Sequence, residues 1–364
     1  MKKVVSIALA LLMVAVMLPV MAMADETLQS KIDAAPVGGT VKLDKEYTED
    51  IVINKELTID LNGNKLTNSA GDTITVNANG NLTITGNGTV DNVTHGRAAI
   101  FNNGTVTLNG GTYTRSAEVG TGKDPDSDNG NSWYTICNHG VMTVNAGATV
   151  KNKGTFSSVF ENGYYSYTKN AEREGYVEGT NNAAPKLTIN GGTFEGGKIT
   201  IKNDDGGILE INNGTFTNAW NRVVYNVNVA TINGGSFSCP TTNEIAVDSN
   251  KLNETVNKGV MTITGGTFDG KVTQSNGTFT VSGGTFKKGV DESYIVDGKK
   301  LDANGNVVPE TITIIVPSDG GNTTTTPSTD NTKNPSTGAN DFVGVAAALA
   351  VVSLLGAAAV IRKK

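Results

Sequence analysis

The sequence predicts an all-β chain coiled into a solenoid, and two observations carry the prediction. One is a recurring phrase: "LTINGGTFEG" at 187–196 returns as "MTITGGTFDG" at 261–270. The other is composition. Gly contributes 44 of 364 residues, aromatic residues make up 6%, and Asn and Thr run throughout, which suits strands and turns rather than helices. A catalytic motif is written once, whereas a phrase repeated along a chain is architecture.

The phrase opens on Thr83-Ile84, Thr107-Leu108, Thr143-Val144, Thr188-Ile189, Glu210-Ile211, Thr231-Ile232, Thr262-Ile263 and Thr280-Val281. A Gly/Asn corner follows, then pairs such as Thr112-Tyr113, Thr193-Phe194, Thr215-Phe216, Ser236-Phe237, Thr267-Phe268 and Thr285-Phe286. Alternate side chains of a strand face opposite ways, so the Ile and Phe positions point to one side and the Thr positions to the other. The Gly-Gly corners permit φ > 0 and a sharp bend. A third strand reads before the phrase at 74–77, 98–102, 134–138, 199–203 and 222–226. Intervals between opening positions are 24, 36, 45, 22, 21, 31 and 18 residues, and the short ones fit one three-sided coil. A single coil has no closed core. Stacking coils about 4.8 Å apart buries the inward ladder, which predicts a parallel β-helix.

Both ends of the solenoid need covering, because they are open sheet edges. "ETLQSKIDAA" at 26–35 reads as a short amphipathic helix with Leu28, Ile32 and Ala35 on one side. Residues 291–308 break the pattern and are expected to cap the other end. A helical cap, the glycine corners and the coil length together resemble the pectate-lyase-like right-handed β-helix superfamily, in the form found on Gram-positive surface proteins. The resemblance spans roughly 26–308 and implies the right-handed fold more than any activity.

The termini carry their own signals. Lys2-Lys3, an apolar run and Ala22-Met23-Ala24 form a secretory signal peptide over 1–24, with cleavage between Ala24 and Asp25. The β-helix domain is expected over 25–310. Residues 311–333 form a low-complexity spacer, Gly/Asn/Thr/Ser/Pro-rich from Pro317 on and expected to be disordered. Residues 342–361 are twenty uncharged residues, enough for a hydrophobic helix across a hydrocarbon core of about 30 Å, and Arg362-Lys363-Lys364 follow. Asn334-Pro335-Ser336-Thr337-Gly338 precedes that span. Pentapeptide, span and basic tail, over 334–364, resemble the sortase sorting signal, with Asn334 where Leu is usual. The resemblance implies cutting after Thr337, transient membrane insertion of the precursor, and linkage of Thr337 to peptidoglycan at a Gram-positive cell surface.

The chain carries 29 basic and 35 acidic residues. Removing Lys2, Lys3, Arg362, Lys363, Lys364 and Asp341 leaves 24 basic and 34 acidic, a net charge of −10 for 25–337. That balance argues against nucleic acid as a partner. The long intervals predict excursions from the coil. One, 116–132, places Asp124, Asp126 and Asp128 at alternate positions, a candidate set for Ca²⁺. Gly130 falls one position later than in an EF-hand loop and Thr135 stands where Glu would close it, so a solvated acidic loop is expected and no cofactor is assigned. A second, 152–184, concentrates Phe156, Phe160, Tyr164, Tyr165, Tyr167 and Tyr176. Rings stack on sugar C–H faces, so Tyr164, Tyr165 and Tyr167, with Glu161 and Asn162 as polar partners, are the candidate ligand site. Folding of that loop onto the coil flank is the competing expectation, and Trp133 and Trp220 are expected to pack.

No catalytic constellation stands out. His139 falls at a corner, "CNHG", Asp204-Asp205 reads as a turn, and His95-Gly96-Arg97 is a weak grouping of cation and base. Cys137 and Cys239 fall on different sides of coils three apart, too far for a disulfide, and are expected unbridged. The outward Thr row suits ice binding only if unbroken, and Glu210 breaks it. The expected function is that of a wall-anchored adhesin binding host or microbial glycans or matrix proteins. A surface stalk without ligand and a polysaccharide lyase or glycoside hydrolase are the alternatives.

Overall fold

The computed structural model describes residues 26–94, 96–116, 133–154, 158–163, 185–204, 206–218, 221–239, 245–249, 259–274 and 277–311. All of these belong to one unit, Met1–Thr311. They form a right-handed parallel β-helix of three all-parallel sheets with ten, ten and nine strands. The first sheet runs from Gly39–Lys42 to Thr278–Val281, the second from Tyr47–Thr48 to Thr285–Phe286, and the third from Ile51–Ile53 to Lys271–Gln274. Each turn of chain visits them in that order.

Alternation along each strand fixes the inside. Val106 and Leu108 are buried while Thr105 is exposed, and the same pattern holds at Leu187/Ile189 and Ala230/Ile232. Neighbouring coils repeat it without slip: Thr143 pairs Thr188, Thr188 pairs Glu210, Glu210 pairs Thr231 and Thr231 pairs Thr262. A slip of one residue would turn the whole apolar set outward. The two corner glycines divide the work. In Gly265-Gly266 the second has φ +103°, which an L side chain resists, whereas a Cβ on the first would lie 2.4 Å from Asn233 O of the preceding coil.

Two ladders run along the interior. Phe194, Phe216, Phe237, Phe268 and Phe286 stack ring on ring with centroids 4.7–4.8 Å apart and planes within 8°. That spacing is the distance between hydrogen-bonded strands, so strand pairing imposes the ring stack. At the corner leaving the third sheet, Asn102, Asn138, Asn162, Asn203 and Asn226 are buried, and each of the first four donates from Nδ2 to the next Oδ1 at 2.7 Å. Their amides also donate to backbone carbonyls of the coil, as from Asn138 to Lys186 O and from Asn203 to Val229 O. A buried amide is tolerated because its hydrogen bonds are made.

Both ends are closed. Helix α1, Leu28–Ala34, buries Leu28 and Ile32 over the first coil, and Thr27 caps it by accepting from Ser30 N. Gln29 behaves as a piece of strand: its Oε1 accepts from Val52 N at 2.8 Å and its Nε2 donates to Val52 O at 3.2 Å. At the other end an antiparallel pair, Lys299–Leu301 with Val307–Pro309, covers the last coil, and Val307 N donates to Gly284 O. Among the described residues no helix is long and apolar enough to cross a membrane. The expected spacer and C-terminal helix lie outside the described residues.

Two elements differ from the expectation. Ten coils stack in the first sheet where eight opening pairs are aligned from the sequence, because Thr40-Val41 and Thr58-Ile59 precede them in the same register. The excursion set at 152–184 contains a strand, Phe160–Asn162, in the third sheet, and Phe160 is fully buried there. Cys137 and Cys239 are both free and buried, as expected.

Phe216 sits inside the ring stack with a partner on each face. Phe216→Ala is expected to lower stability by about 3–5 kcal/mol, measured by urea unfolding. A loss under about 1 kcal/mol would mean that the coils close up without the ring stack.

Candidate functional site

The outer face of the third sheet differs from that of the first. Along the first sheet the outward row is Thr58, Thr83, Thr107, Thr143, Thr188, Glu210, Thr231, Thr262 and Thr280, as strand propensity alone would fill it. Along the third sheet the paired outward positions begin with Val52 and Thr75 and continue as Phe101, Cys137, Glu161, Lys202, Tyr225, Asp248 and Thr273. Ionisable groups therefore lie about 4.8 Å apart, coil after coil.

Glu161 stands at the middle of this row with its side chain 1% exposed. One carboxylate oxygen, Oε2, lies 3.6 Å from His139 Nε2, and the other, Oε1, has no hydrogen-bond partner. Burial pushes its pKa up, and the nearby His139 only partly offsets this. His139 occupies the corner foreseen for it, 20% exposed, with its ring edge-on to Phe101 at 4.9 Å. Burial, with the Glu161 carboxylate beside it, also pushes the Cys137 thiol well up, which favours the neutral thiol.

On the next coil Lys202 ion-pairs with Asp204 and donates to Tyr134 Oη at 3.2 Å, with its ammonium 5.8 Å from the Tyr134 ring centre. Burial works against the ammonium, but Tyr134 and Asp204 beside it hold its pKa above the ordinary lysine value. Tyr134 itself is raised, first by burial. Further along, Arg222 Nε donates to Asp248 at 3.0 Å and lies over the Tyr225 ring at 5.0 Å. Thr273 donates to the other Asp248 oxygen at 3.2 Å.

The long excursions meet the same sheet. The connection from Thr112–Thr114 to Ile136–Asn138 enters it, and the one from Phe160–Asn162 to Lys186–Ile189 leaves it from the adjacent, paired strand. The connection from Ile245–Ser249 to Val260–Ile263 also leaves it. At the root of the first, Tyr134 is buried with Ala98 and Cys137, and half-buried Trp133 and Phe101 pack against them, which is the packing role expected of Trp133.

The predicted site residues divide accordingly. Glu161 lies on this face, whereas Asn162 points inward and its amide is committed to the Asn ladder, so it is not available as a ligand partner. Tyr164, Tyr165, Tyr167, Asp124, Asp126 and Asp128 lie outside the described residues, as do Ala24, Asp25, Asn334, Pro335, Thr337, Gly338, His95, Asp205 and Trp220. Among the described residues no three His, Cys, Asp or Glu side chains gather as a metal set. Lys202, Tyr134, Asp204 and Asp248 were not singled out for this face. The signal was present, since the third-strand segments read "YTICN", "ITIKN" and "RVVYN" with the variable letter just before the conserved inward Asn position.

Glu161 gives a pH prediction. Its folded pKa is raised above the ordinary value near 4.5, so the folded protein binds that proton more tightly than the unfolded chain. Its contribution to stability is fully favourable below the unfolded value and is lost as pH rises through the raised folded value. Glu161→Gln is therefore expected to raise the melting temperature at neutral pH and to flatten its decline above pH about 4.5. A variant less stable at neutral pH, with the wild-type slope, would mean that Glu161 is held ionised.

No protein-family model matches the chain, and no curated protein or solved structure matches it either.

Proposed function

We propose that this chain is a cell-wall-anchored surface protein that binds glycans on the outer face of the third sheet. The carrying observation is the change in that face's outward row, from Val52 and Thr75 to Phe101, Cys137, Glu161, Lys202, Tyr225 and Asp248. Burying such ionisable groups opposes folding and is not needed to close the coil. Two rings, Phe101 and Tyr225, bracket Cys137, Glu161 and Lys202 along the row, and rings with polar groups are the combination a sugar chain engages through its C–H faces and hydroxyls. Tyr164, Tyr165 and Tyr167 follow directly on Asn162 and Gly163 in sequence, so the proposal keeps them as the rings that complete the site.

The test is a glycan array probed with the purified intact chain. Binding to one glycan class is expected, and Tyr164→Ala with Tyr165→Ala should weaken it at least about tenfold with melting unchanged. No binding to any glycan would overturn the reading and leave a stalk. A second reading draws on two carboxyl groups: Glu161, and Asp204 just past the end of the paired strand Ile199–Asn203. Glu161 is raised toward its acid form and Asp204 is ion-paired with Lys202. Such a pair is the general requirement for glycosidic cleavage, and release of reducing ends from an array glycan would favour it.

The anchoring reading rests on the order of Asn334-Pro335-Ser336-Thr337-Gly338, the apolar span 342–361 and the basic tail. Thr337→Ala is expected to abolish covalent retention on purified, detergent-boiled wall. Retention at the wild-type level would refute sortase linkage through Thr337.

A further inference from the structure

The first sheet carries a second outward row, two residues ahead of its threonines. On consecutive coils it passes through Val141, Lys186, Ile208, Val229 and Val260. Five large apolar side chains lie exposed among the described residues, and three of them, Val141, Ile208 and Val229, fall on this row at 38–41% exposure. Singly such residues are ordinary, but three within four neighbouring coils form a patch. Charge is placed as unevenly. On the eight strands from Asn81–Thr85 to Thr278–Val281 the outward residues include two charges, Lys186 and Glu210, which pair with each other at 3.7 Å. Charges resume with Glu56 and Asp60 on the strand before. The face is therefore neutral on a chain with 35 acidic and 29 basic residues. One edge is polar and uncharged: the exposed amides of Asn145, Asn190, Asn212 and Asn233 stack, each donating to the Asn of the preceding coil. An apolar middle, few charges and a polar rim are the composition of a protein interface.

We propose that this face binds a second copy of the chain, with the two solenoids antiparallel. The position of the ion pair argues for that occupant. Lys186 and Glu210 stand on the fourth and fifth of the eight strands, at the centre of the otherwise uncharged run. A two-fold axis along the strand direction, between these two strands, sets the face against its own copy. Val141 then meets the partner's Val229, and Thr143 meets the partner's Thr231. Lys186 faces the partner's Ile208, two residues from the partner's Glu210, so opposite charges meet across the axis. Two copies of an acidic chain also repel least where their faces are neutral. The eight strands offer roughly 500 Å² of flat sheet per copy. That is below the ~800 Å² per partner of a standard interface, so the dimer is a weak one, in the micromolar range. This face lies on a different sheet from the proposed glycan site, and neither reading depends on the other.

The experiment is sedimentation velocity of the purified intact chain over about a hundredfold range of concentration. Monomer is expected to give way to dimer as concentration rises. Val141→Glu with Val229→Glu sets like charges against each other across the axis and should weaken association at least about tenfold. Val141→Lys with Val229→Glu sets opposite charges there and should restore association to within about threefold of wild type. Both substituted positions face outward, and an unchanged melt checks that each variant is folded. Should the doubly acidic variant fail to fold, Val141→Lys with Val229→Lys supplies the same repulsion. A chain that stays monomeric throughout would overturn the proposal. Association that the like-charged variant leaves intact would also overturn it, by placing the contact elsewhere on the chain. Equal loss in the like-charged and opposite-charged variants would overturn the two-fold match of Val141 with Val229.

Discussion

Coil-on-coil hydrogen bonding in fixed register is the constraint on which everything else in this fold depends. Each strand must offer its edge to the strands before and after it, so the position of one side chain sets the position of its counterparts along the axis. The buried Asn ladder shows how tightly this is specified. Asn102, Asn138, Asn162 and Asn203 each hand an amide hydrogen to the side-chain oxygen of the next Asn, ending at Asn226, at 2.7 Å. A shifted coil would leave two buried amides without partners, and each unmade bond disfavours the shift by roughly 1–3 kcal/mol. The Phe stack requires the same spacing but is less selective, since a ring tolerates an offset. Polar ladders set register, and apolar ladders supply the driving force.

The same constraint explains why the outward positions hold the information about function. Inward residues are dictated by the coil, and corner glycines by the closeness of the preceding coil, as at Gly265 and Gly266. Outward residues are free, and on the first sheet that freedom is filled by Thr. On the third sheet it is filled by Cys137, Glu161, Lys202, Tyr225 and Asp248, where the long connections enter and leave. A rigid scaffold that holds a row of ionisable groups at fixed spacing, with Cys137, Glu161 and Asp248 buried in it, is preorganised. Little side-chain entropy remains to be lost when a ligand settles there.

Much of the fold was legible because its driving pattern is written in sequence. The opening Thr-Ile pairs, the corners and the Phe positions all fall where the strands run. The strand Phe160–Asn162 is not legible in the sequence, because it stands between two insertions and "FEN" alone carries too short an alternation to mark a strand. The first two coils are legible as alternating strands in "GGTVKLDKEY" and "IVINKELTIDLNGNKLT", and Thr40-Val41 and Thr58-Ile59 extend the row of opening pairs into them. The candidate face was less legible still. Glu161 was noted for its neighbours in sequence, yet its chemistry comes from His139 and Lys202, 22 and 41 residues away along the chain. Such a meeting is made by stacking, and only the register reveals it.

The register can be tested by crosslinking across coils. Thr231 and Thr262 are paired outward neighbours on the first sheet, about 4.8 Å apart between Cα atoms, whereas Thr231 and Thr280 are two coils apart, at about 10 Å. A disulfide needs Cα atoms within about 7 Å. On mild oxidation, Thr231→Cys with Thr262→Cys should form an intramolecular disulfide in nearly all molecules, read as a linked peptide by mass spectrometry. Thr231→Cys with Thr280→Cys should not. A link in the second pair but not the first would contradict the stacking register from which both the buried ladders and the third-sheet face are derived.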